Sequence, residues 1–395
     1  MNTGILTFHH AHHYGAQLQA FALMKAIMDQ GLDCEIINYV RKDTIEGSSL
    51  FKKRMSARSL LTNADTLLNY SKLKKRYDRF EGFINDEMKL SEKFYATYDE
   101  LRTDAPKYDA YVCGSDQIWN PLIFEEKTFD PAFFADFAKS GRRIAYAPSF
   151  GISSIPEDKK ELLKKYLEKF DCLSVRERQG EKIIRELTGR DSLTVLDPTL
   201  LLKGEDWESY SSAPVFHEPY ILCYFITKGS KYSKFVQAIQ EKYKLPVVSL
   251  CGSRRIVPQT RHSVLDAGPK EFLRLFADAA VICTDSFHGT VFSINFKKEF
   301  FCFKSTDDTK DTKTTEMATG ATKAETATKT VNSRLYNILD KLGLLSKMFS
   351  HTMDPEEFKR RIREEAGLID YHKVHTILQE ERDKSMDYLR SSLGL

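Results

Sequence analysis

Short apolar runs alternate with longer stretches whose apolar positions recur at helical spacing, and this rhythm organises the first two hundred residues. Residues 4–9 form a strand-sized run, and residues 15–30 carry Leu18, Phe21, Ala22, Ala26 and Ile27 at mainly helical spacing. A second strand is predicted at 34–40, with others at 108–113, 143–147, 172–175 and 193–196; helices are predicted at 156–169 and 177–187. Strands separated by helices need crossover connections, so the sheet should be largely parallel.

Residues 43–91 interrupt the rhythm with helical, basic material. Leu73, Tyr77, Phe80 and Ile84 line one helical face there, and Lys72, Lys75, Arg76 and Arg79 fall on others. Two readings stay open: an inserted arm with solvated charges, or a surface that touches anionic lipid or a lipid-linked substrate. Residues 206–219 are polar and irregular and read as a linker. A second alternating set follows, with strands at 220–226, 246–250, 280–284 and 299–303 and helices at 231–243, 269–279 and 287–296. Residues 305–330 are rich in Thr, Asp, Lys and Ala, and a mobile loop is expected. The tail is helical, with Phe358, Ile362, Tyr371, Val374 and Leu378 available for packing. The expected architecture is α/β: Rossmann-like domains at 1–205 and 220–345, then C-terminal helices at 346–395.

Composition changes this picture little. A chain of 395 residues exceeds one comfortable core, which agrees with two domains. The seven cysteines are scattered singly, mostly in apolar runs, and suit packed thiols rather than a disulfide frame or a zinc site. A net charge of +3 gives no reason to expect nucleic acid as a partner. No apolar run has the length of a membrane span, and MNTGILTFHH lacks a secretory pattern. A cytoplasmic protein is the simplest expectation, with the basic arm as a route to the inner membrane surface.

Four strand-to-helix junctions carry unusual residues, and such junctions are where parallel sheets collect ligands. The first is HHAHHYG at 9–15, which places His9, His13 and Tyr14 beside the opening strand. The run has no neighbouring carboxylate or cysteine, so no metal site is expected. Hydrogen bonding to a sugar or anion and simple helix capping both remain open. The second is YDAYVCGSDQIWNP at 108–121, where Ser115, Asp116, Gln117 and Asn120 offer polar groups and Trp119 an apolar platform. Its alternative is a capped turn with Trp119 filling the core edge. The third is LSVRER at 173–178, in which Arg176 either grips a carboxylate or phosphate or pairs internally with Glu177. The fourth is VICTDSFHGTVF at 281–292, where His288 stands at a ligand edge beside Asp285, Ser286 and Gly289, a setting for proton transfer. Arg254 and Arg255 follow another strand and either hold an anion or are plain surface charge. No nucleotide-cradling glycine loop is present.

The ordered set TFHHAHHYGAQLQAFAL, YDAYVCGSDQIWNP, IAYAPSFG, LSVRERQG, VLDPTLLL and TDSFHGTVFSI, with NSRLYNILDKLGL further on, resembles the polysaccharide pyruvyltransferase family. The resemblance implies a glycosyltransferase-B-like fold with a catalytic cleft between the halves. It implies transfer of a pyruvyl group from phosphoenolpyruvate to a sugar as a ketal, with phosphoenolpyruvate as co-substrate and no resident cofactor or metal. The acceptor would be a polysaccharide sugar or its lipid- or nucleotide-linked precursor. Matched by motif, His288 takes the catalytic place and Arg176 a donor contact. The acceptor would meet His9, His13, Tyr14, Ser115, Asp116, Gln117, Trp119 and Asn120. Many members carry Arg where this chain has Ser286, which leaves Ser286 at the donor position and Arg254 and Arg255 as compensating cations. The competing readings are a glycosyltransferase with a nucleotide-sugar donor and a non-catalytic carbohydrate-binding or scaffold protein.

Overall fold

Each half of the chain builds one six-stranded sheet in the computed structural model, which describes residues 1–52, 56–250, 256–304, 333–364 and 369–395. The first sheet contains β1 (Asn2–Leu6), β2 (Asp33–Ile36), β3 (Ala110–Cys113), β4 (Arg142–Ala145), β5 (Cys172–Val175) and β6 (Leu193–Thr194), in the order β2-β1-β3-β4-β5-β6. The second contains β7 (Ile221–Tyr224), β8 (Val247–Leu250), β9 (Thr260–Val264), β10 (Val281–Thr284), β11 (Glu299–Phe303) and β12 (Met348–Phe349), in the order β12-β11-β10-β7-β8-β9. Every neighbouring pair is parallel. All four residues of β3, β7, β8 and β10 are buried, because helices cover both faces of a parallel sheet. That is why these strands read as continuous apolar runs without polar alternation.

Seven of the described α-helices belong to the first half: α1 (Tyr14–Met28), α2 (Lys42–Ser48), α3 (Ala57–Leu68), α4 (Tyr70–Glu87), α5 (Tyr98–Thr103), α6 (Glu157–Leu167) and α7 (Arg178–Thr188). The inserted helical material is therefore α2 to α4. The remaining described helices are α8 (Gly204–Glu208), α9 (Ser233–Tyr243), α10 (Pro269–Asp278), α11 (Phe287–Asn295), α12 (Ser333–Lys341), α13 (Pro355–Glu364) and α14 (Tyr371–Leu393). Local signals set their ends. Helix α7 buries Ile183 and Ile184 and stops at Gly189, whose φ of 68° is the left-handed conformation a helix end favours. Helix α10 starts with Pro269, and Glu271 accepts from the Gly268 N–H at 2.9 Å.

The chain divides into two units, Met1–Leu202 with Glu380–Leu395, and Lys203–Gln379. Both are Rossmann-like α/β units, each built on its own six-stranded parallel sheet. Helix α14 begins in the second unit and ends in the first. Its later residues are bonded into the first: Arg382 Nε donates to the Leu200 carbonyl at 2.6 Å, and the Tyr388 hydroxyl to that of Ala145 at 2.8 Å. The stretch 206–219 opens inside α8, where Trp207 is fully buried and meets the Phe292 ring edge-on at 5.3 Å. Two strands escape the hydrophobic pattern. β9 is an edge strand with three exposed residues, and β12 has only two residues. Residues 305–330 lie outside the described part of the chain. Among the described residues no helix is long and apolar enough to cross a membrane.

Candidate active site

The strand orders fix where each sheet opens toward a ligand. In a doubly wound parallel sheet the crossovers diverge where the order reverses, leaving a crevice beyond the strand ends. That point lies between β1 and β3 in the first unit and between β7 and β10 in the second. The four loops concerned are 7–13, 114–120, 225–227 and 285–286. Three of the four junctions singled out from the sequence contribute to these points; Arg176, after β5, contributes from the side.

In the first unit, Gln19 holds the two loops together from the fully buried face of α1. Its amide nitrogen donates to the Thr7 hydroxyl at 2.8 Å, and its amide oxygen accepts from the Ser115 N–H at 3.1 Å. Gly114 is required there, since a Cβ would stand 1.9 Å from the Tyr146 carbonyl oxygen and φ is +144°. The Ser115 hydroxyl is buried and donates to the Ala147 carbonyl at 2.9 Å. Gln19 was invisible to motif reading; a polar residue amid helical apolar spacing was its only signal.

Arg176 is buried, and its guanidinium donates to Asp197 at 2.7 Å and to Asp116 at 3.4 Å. Glu177 hydrogen-bonds elsewhere, its carboxylate accepting from the Ser149 hydroxyl and the Phe150 N–H, while its charge also favours the Arg176 cation. One guanidinium set between two carboxylates leaves a cluster with no net positive charge, so the geometry shows Arg176 tying these loops together rather than offering its charge to a donor. Asp197 caps the turn after β6 by accepting from the Thr199 N–H and is also the buried counter-charge.

Trp119 is a correction. It is fully buried, its indole N–H donates to the Phe133 carbonyl at 3.1 Å, and it stacks on Phe134 at 5.2 Å, so it offers no platform to a sugar. Asn120 is likewise spent: it donates to Gln117 Oε1 at 2.9 Å and accepts from the Leu122 N–H at 3.0 Å. Asp116 and Gln117 remain partly exposed at the loop.

The histidine run separates by depth. His9 is buried, with Nδ1 3.2 Å from the Thr7 carbonyl and Nε2 3.4 Å from Asn38 Oδ1, and burial lowers its pKa to about 4. It is a neutral structural residue, not an acceptor contact. Tyr14 is also buried, with its ring beneath the Arg76 guanidinium at 5.4 Å. His13 is exposed and caps α1, accepting from the Ala16 N–H at 3.4 Å. The residue with a chemical partner is His12, whose Nε2 lies 2.6 Å from Glu81 Oε1; His10 Nε2 lies 4.0 Å from the other carboxylate oxygen. The hydrogen bond from His12 holds the Glu81 carboxyl below its usual range. Glu81 comes from α4, seventy residues away in sequence, which is why the run seemed to lack a carboxylate.

In the second unit, Asp285 is the staple. It is buried after β10 and accepts from the Ile226 N–H at 2.6 Å, the Thr227 N–H at 3.1 Å and the Tyr232 hydroxyl at 3.0 Å, tying in the loop after β7. Ser286 caps α11, its hydroxyl accepting from the Gly289 N–H at 3.3 Å; its role here is the helix start. A Cβ on Gly289 would stand 2.3 Å from the Thr284 hydroxyl, so α11 packs this closely on β10 only with glycine there. These contacts hold His288 at the second position of α11, buried at the strand-end edge, with its ring 5.2 Å from that of Phe287. Arg254 and Arg255 lie outside the described residues. Among the described residues no group of three or more His, Cys, Asp or Glu is placed to hold a metal.

A family profile described as "Polysaccharide pyruvyl transferase" matches residues 13–307. No curated protein sequence matches the chain. Among solved structures, UGT89C1 of Arabidopsis thaliana is similar at 10% identity, with a TM-score of 0.48 over 100% of this chain and 99% of that one. The UDP-GlcNAc 2-epimerase of Neisseria meningitidis bound to UDP-GlcNAc is similar at 8% identity and a TM-score of 0.46, over 99% and 98%. MurG of Acinetobacter baumannii is similar at 9% identity and a TM-score of 0.41, over 98% and 97%.

Proposed function

The chain belongs to the polysaccharide pyruvyl transferase family, and on that premise we propose that it transfers a pyruvyl group from phosphoenolpyruvate to a sugar of a polysaccharide or its lipid- or nucleotide-linked precursor. The single observation that carries this reading is the family match across residues 13–307, which takes in the loops 114–120, 225–227 and 285–286 at the switch points of the two sheets. The product is a cyclic ketal. One sugar hydroxyl adds to the enol carbon of phosphoenolpyruvate while the methylene carbon takes a proton, giving a phosphorylated hemiketal. A second hydroxyl then displaces inorganic phosphate and closes the ring, releasing its own proton.

His288 is the group assigned to one of these protons. Its backbone is fixed at the start of α11 by the Ser286 cap and the close packing of Gly289. An imidazole nitrogen can either donate or accept a proton, which suits a step that gives or takes one. In the first unit, the partly exposed groups of Asp116, Gln117, His13 and the His12–Glu81 pair are assigned to sugar hydroxyls. The pair suits a hydroxyl because the carboxylate fixes the imidazole tautomer, leaving Nδ1 as the acceptor.

The test incubates the pure protein with phosphoenolpyruvate and a panel of sugar acceptors, following phosphate release and a pyruvyl mass gain on the sugar together. His288→Gln should lower turnover by about a hundredfold or more with the thermal transition unchanged. A folded variant with full phosphate release would remove His288 from the reaction. Consumption of a nucleotide sugar with no use of phosphoenolpyruvate would replace the reading with glycosyl transfer.

A further inference from the structure

Helix α3 is built inside out. Its polar side faces the protein: Asn63 Oδ1 accepts from the Lys52 N–H at 2.8 Å, Asn63 Nδ2 donates to the Lys52 carbonyl at 3.0 Å, and Thr66 is buried. Its apolar side faces water. Leu60 is 56% exposed, Leu61 64%, Leu67 66% and Leu68 86%. At 100° per residue these four fall within about a third of the helix circumference, so they form one continuous apolar stripe. Tyr70 and Phe51, both exposed, extend it as a stacked pair with centroids 6.2 Å apart. Scattered exposed leucines are ordinary on a soluble protein; four on one face of one helix are not.

The sequence of this segment is as one-sided in charge as the stripe is apolar. Between residues 52 and 79 the chain has nine Lys and Arg against two Asp, whereas the whole protein has a net charge of +3. Lys72 and Lys75, in the first turns of α4, are exposed. One of the two aspartates, Asp78, is already paired with Lys74 at 2.5 Å.

We propose that α3 and the start of α4 form a docking surface for an anionic lipid bilayer, with the α3 leucines entering the interface and the surrounding Lys and Arg meeting lipid phosphates. The charge decides between occupants. A second copy of this chain would bring the same excess of positive charge against itself, and a neutral apolar partner would make no use of that excess. A leucine stripe followed by exposed lysines at the start of the next helix is what an interfacial segment presents to acidic lipid, each cation near the surface adding to the affinity and each being weakened by salt. The surface is independent of the pyruvyl-transfer reading, since no residue in it has been placed in the reaction.

The experiment co-sediments the full chain with vesicles of phosphatidylcholine alone and of phosphatidylcholine mixed with phosphatidylglycerol, at low and high salt. Binding is expected to the mixed vesicles and should fall as salt rises. The double variant Leu61→Ser/Leu68→Ser should partition about tenfold more weakly or less well still, with an unchanged thermal transition. Lys72→Glu/Lys75→Glu should also weaken binding and flatten its salt dependence. No binding to either vesicle, equal binding to both, or full binding by the leucine variant would overturn the proposal. So would a concentration-dependent dimer that the leucine substitutions abolish, which would make the stripe an interface between copies.

Discussion

A buried imidazole with a lowered pKa makes folding depend on pH. His9 takes up its proton near pH 6.5 in the unfolded chain but only near pH 4 in the folded one, because burial disfavours the charged ring. Between those values the unfolded state binds more protons, so stability rises with pH across the window. The penalty is absent above about 6.5, grows as the solution is acidified and is complete below about 4, where it reaches about 3 kcal/mol. Urea midpoints taken from pH 7 to 4.5 should fall steadily for the parent and fall less for His9→Gln. An identical slope in the variant would show that other groups carry the dependence. Arg176 shows the limit of reading single residues: the sequence left a pair with Glu177 or a ligand contact open, and the fold chose Asp197 and Asp116. No spacing rule announces partners that arrive from separate loops.

At the scale of elements, the loops beyond the strand ends are held by buried polar staples. In the second unit Asp285 collects the Ile226 and Thr227 N–H groups and the hydroxyls of Thr227 and Tyr232. Asp285→Ala removes the buried carboxylate that all of those donors share, and should cost about 3 kcal/mol by chemical denaturation. A loss below about 1 kcal/mol would mean that the loops are held by other contacts. The elements themselves were legible wherever burial on both faces gave an unbroken apolar run, as in β7 and β10. Legibility failed at β9, whose exposed edge position permits Thr, Arg and His, and at α3, whose leucines lie on the side away from the protein. Hydrophobic periodicity reports that a helix is two-faced without reporting which face is turned inward.

For the molecule as a whole, α14 ties the last residues of the chain to segments far from them in sequence. Ser385 accepts from the Leu196 N–H at 3.0 Å, and Arg382 and Tyr388 bond to Leu200 and Ala145, so the last residues complete the first unit. The two tryptophans report separately, Trp119 in the first unit and Trp207 in the second, and both are fully buried. Ending the chain at Gln379 should therefore lower the unfolding midpoint read by Trp119 in a Trp207→Phe background, and change that read by Trp207 in a Trp119→Phe background much less. Equal shifts would show that the tail stabilises both units alike. Alternating apolar runs and ordered motifs were enough, without coordinates, to determine two parallel α/β units, the inserted arm and the family. They act through local backbone preference and burial, which each segment carries within itself. The tertiary structure alone decided that Trp119 is core, that His12 rather than His9 has the carboxylate, that Arg176 is paired with Asp197 and Asp116 and that the α3 leucines face outward. Each of those depends on a partner brought in from elsewhere in the chain, and only the folded packing says which side chain arrives.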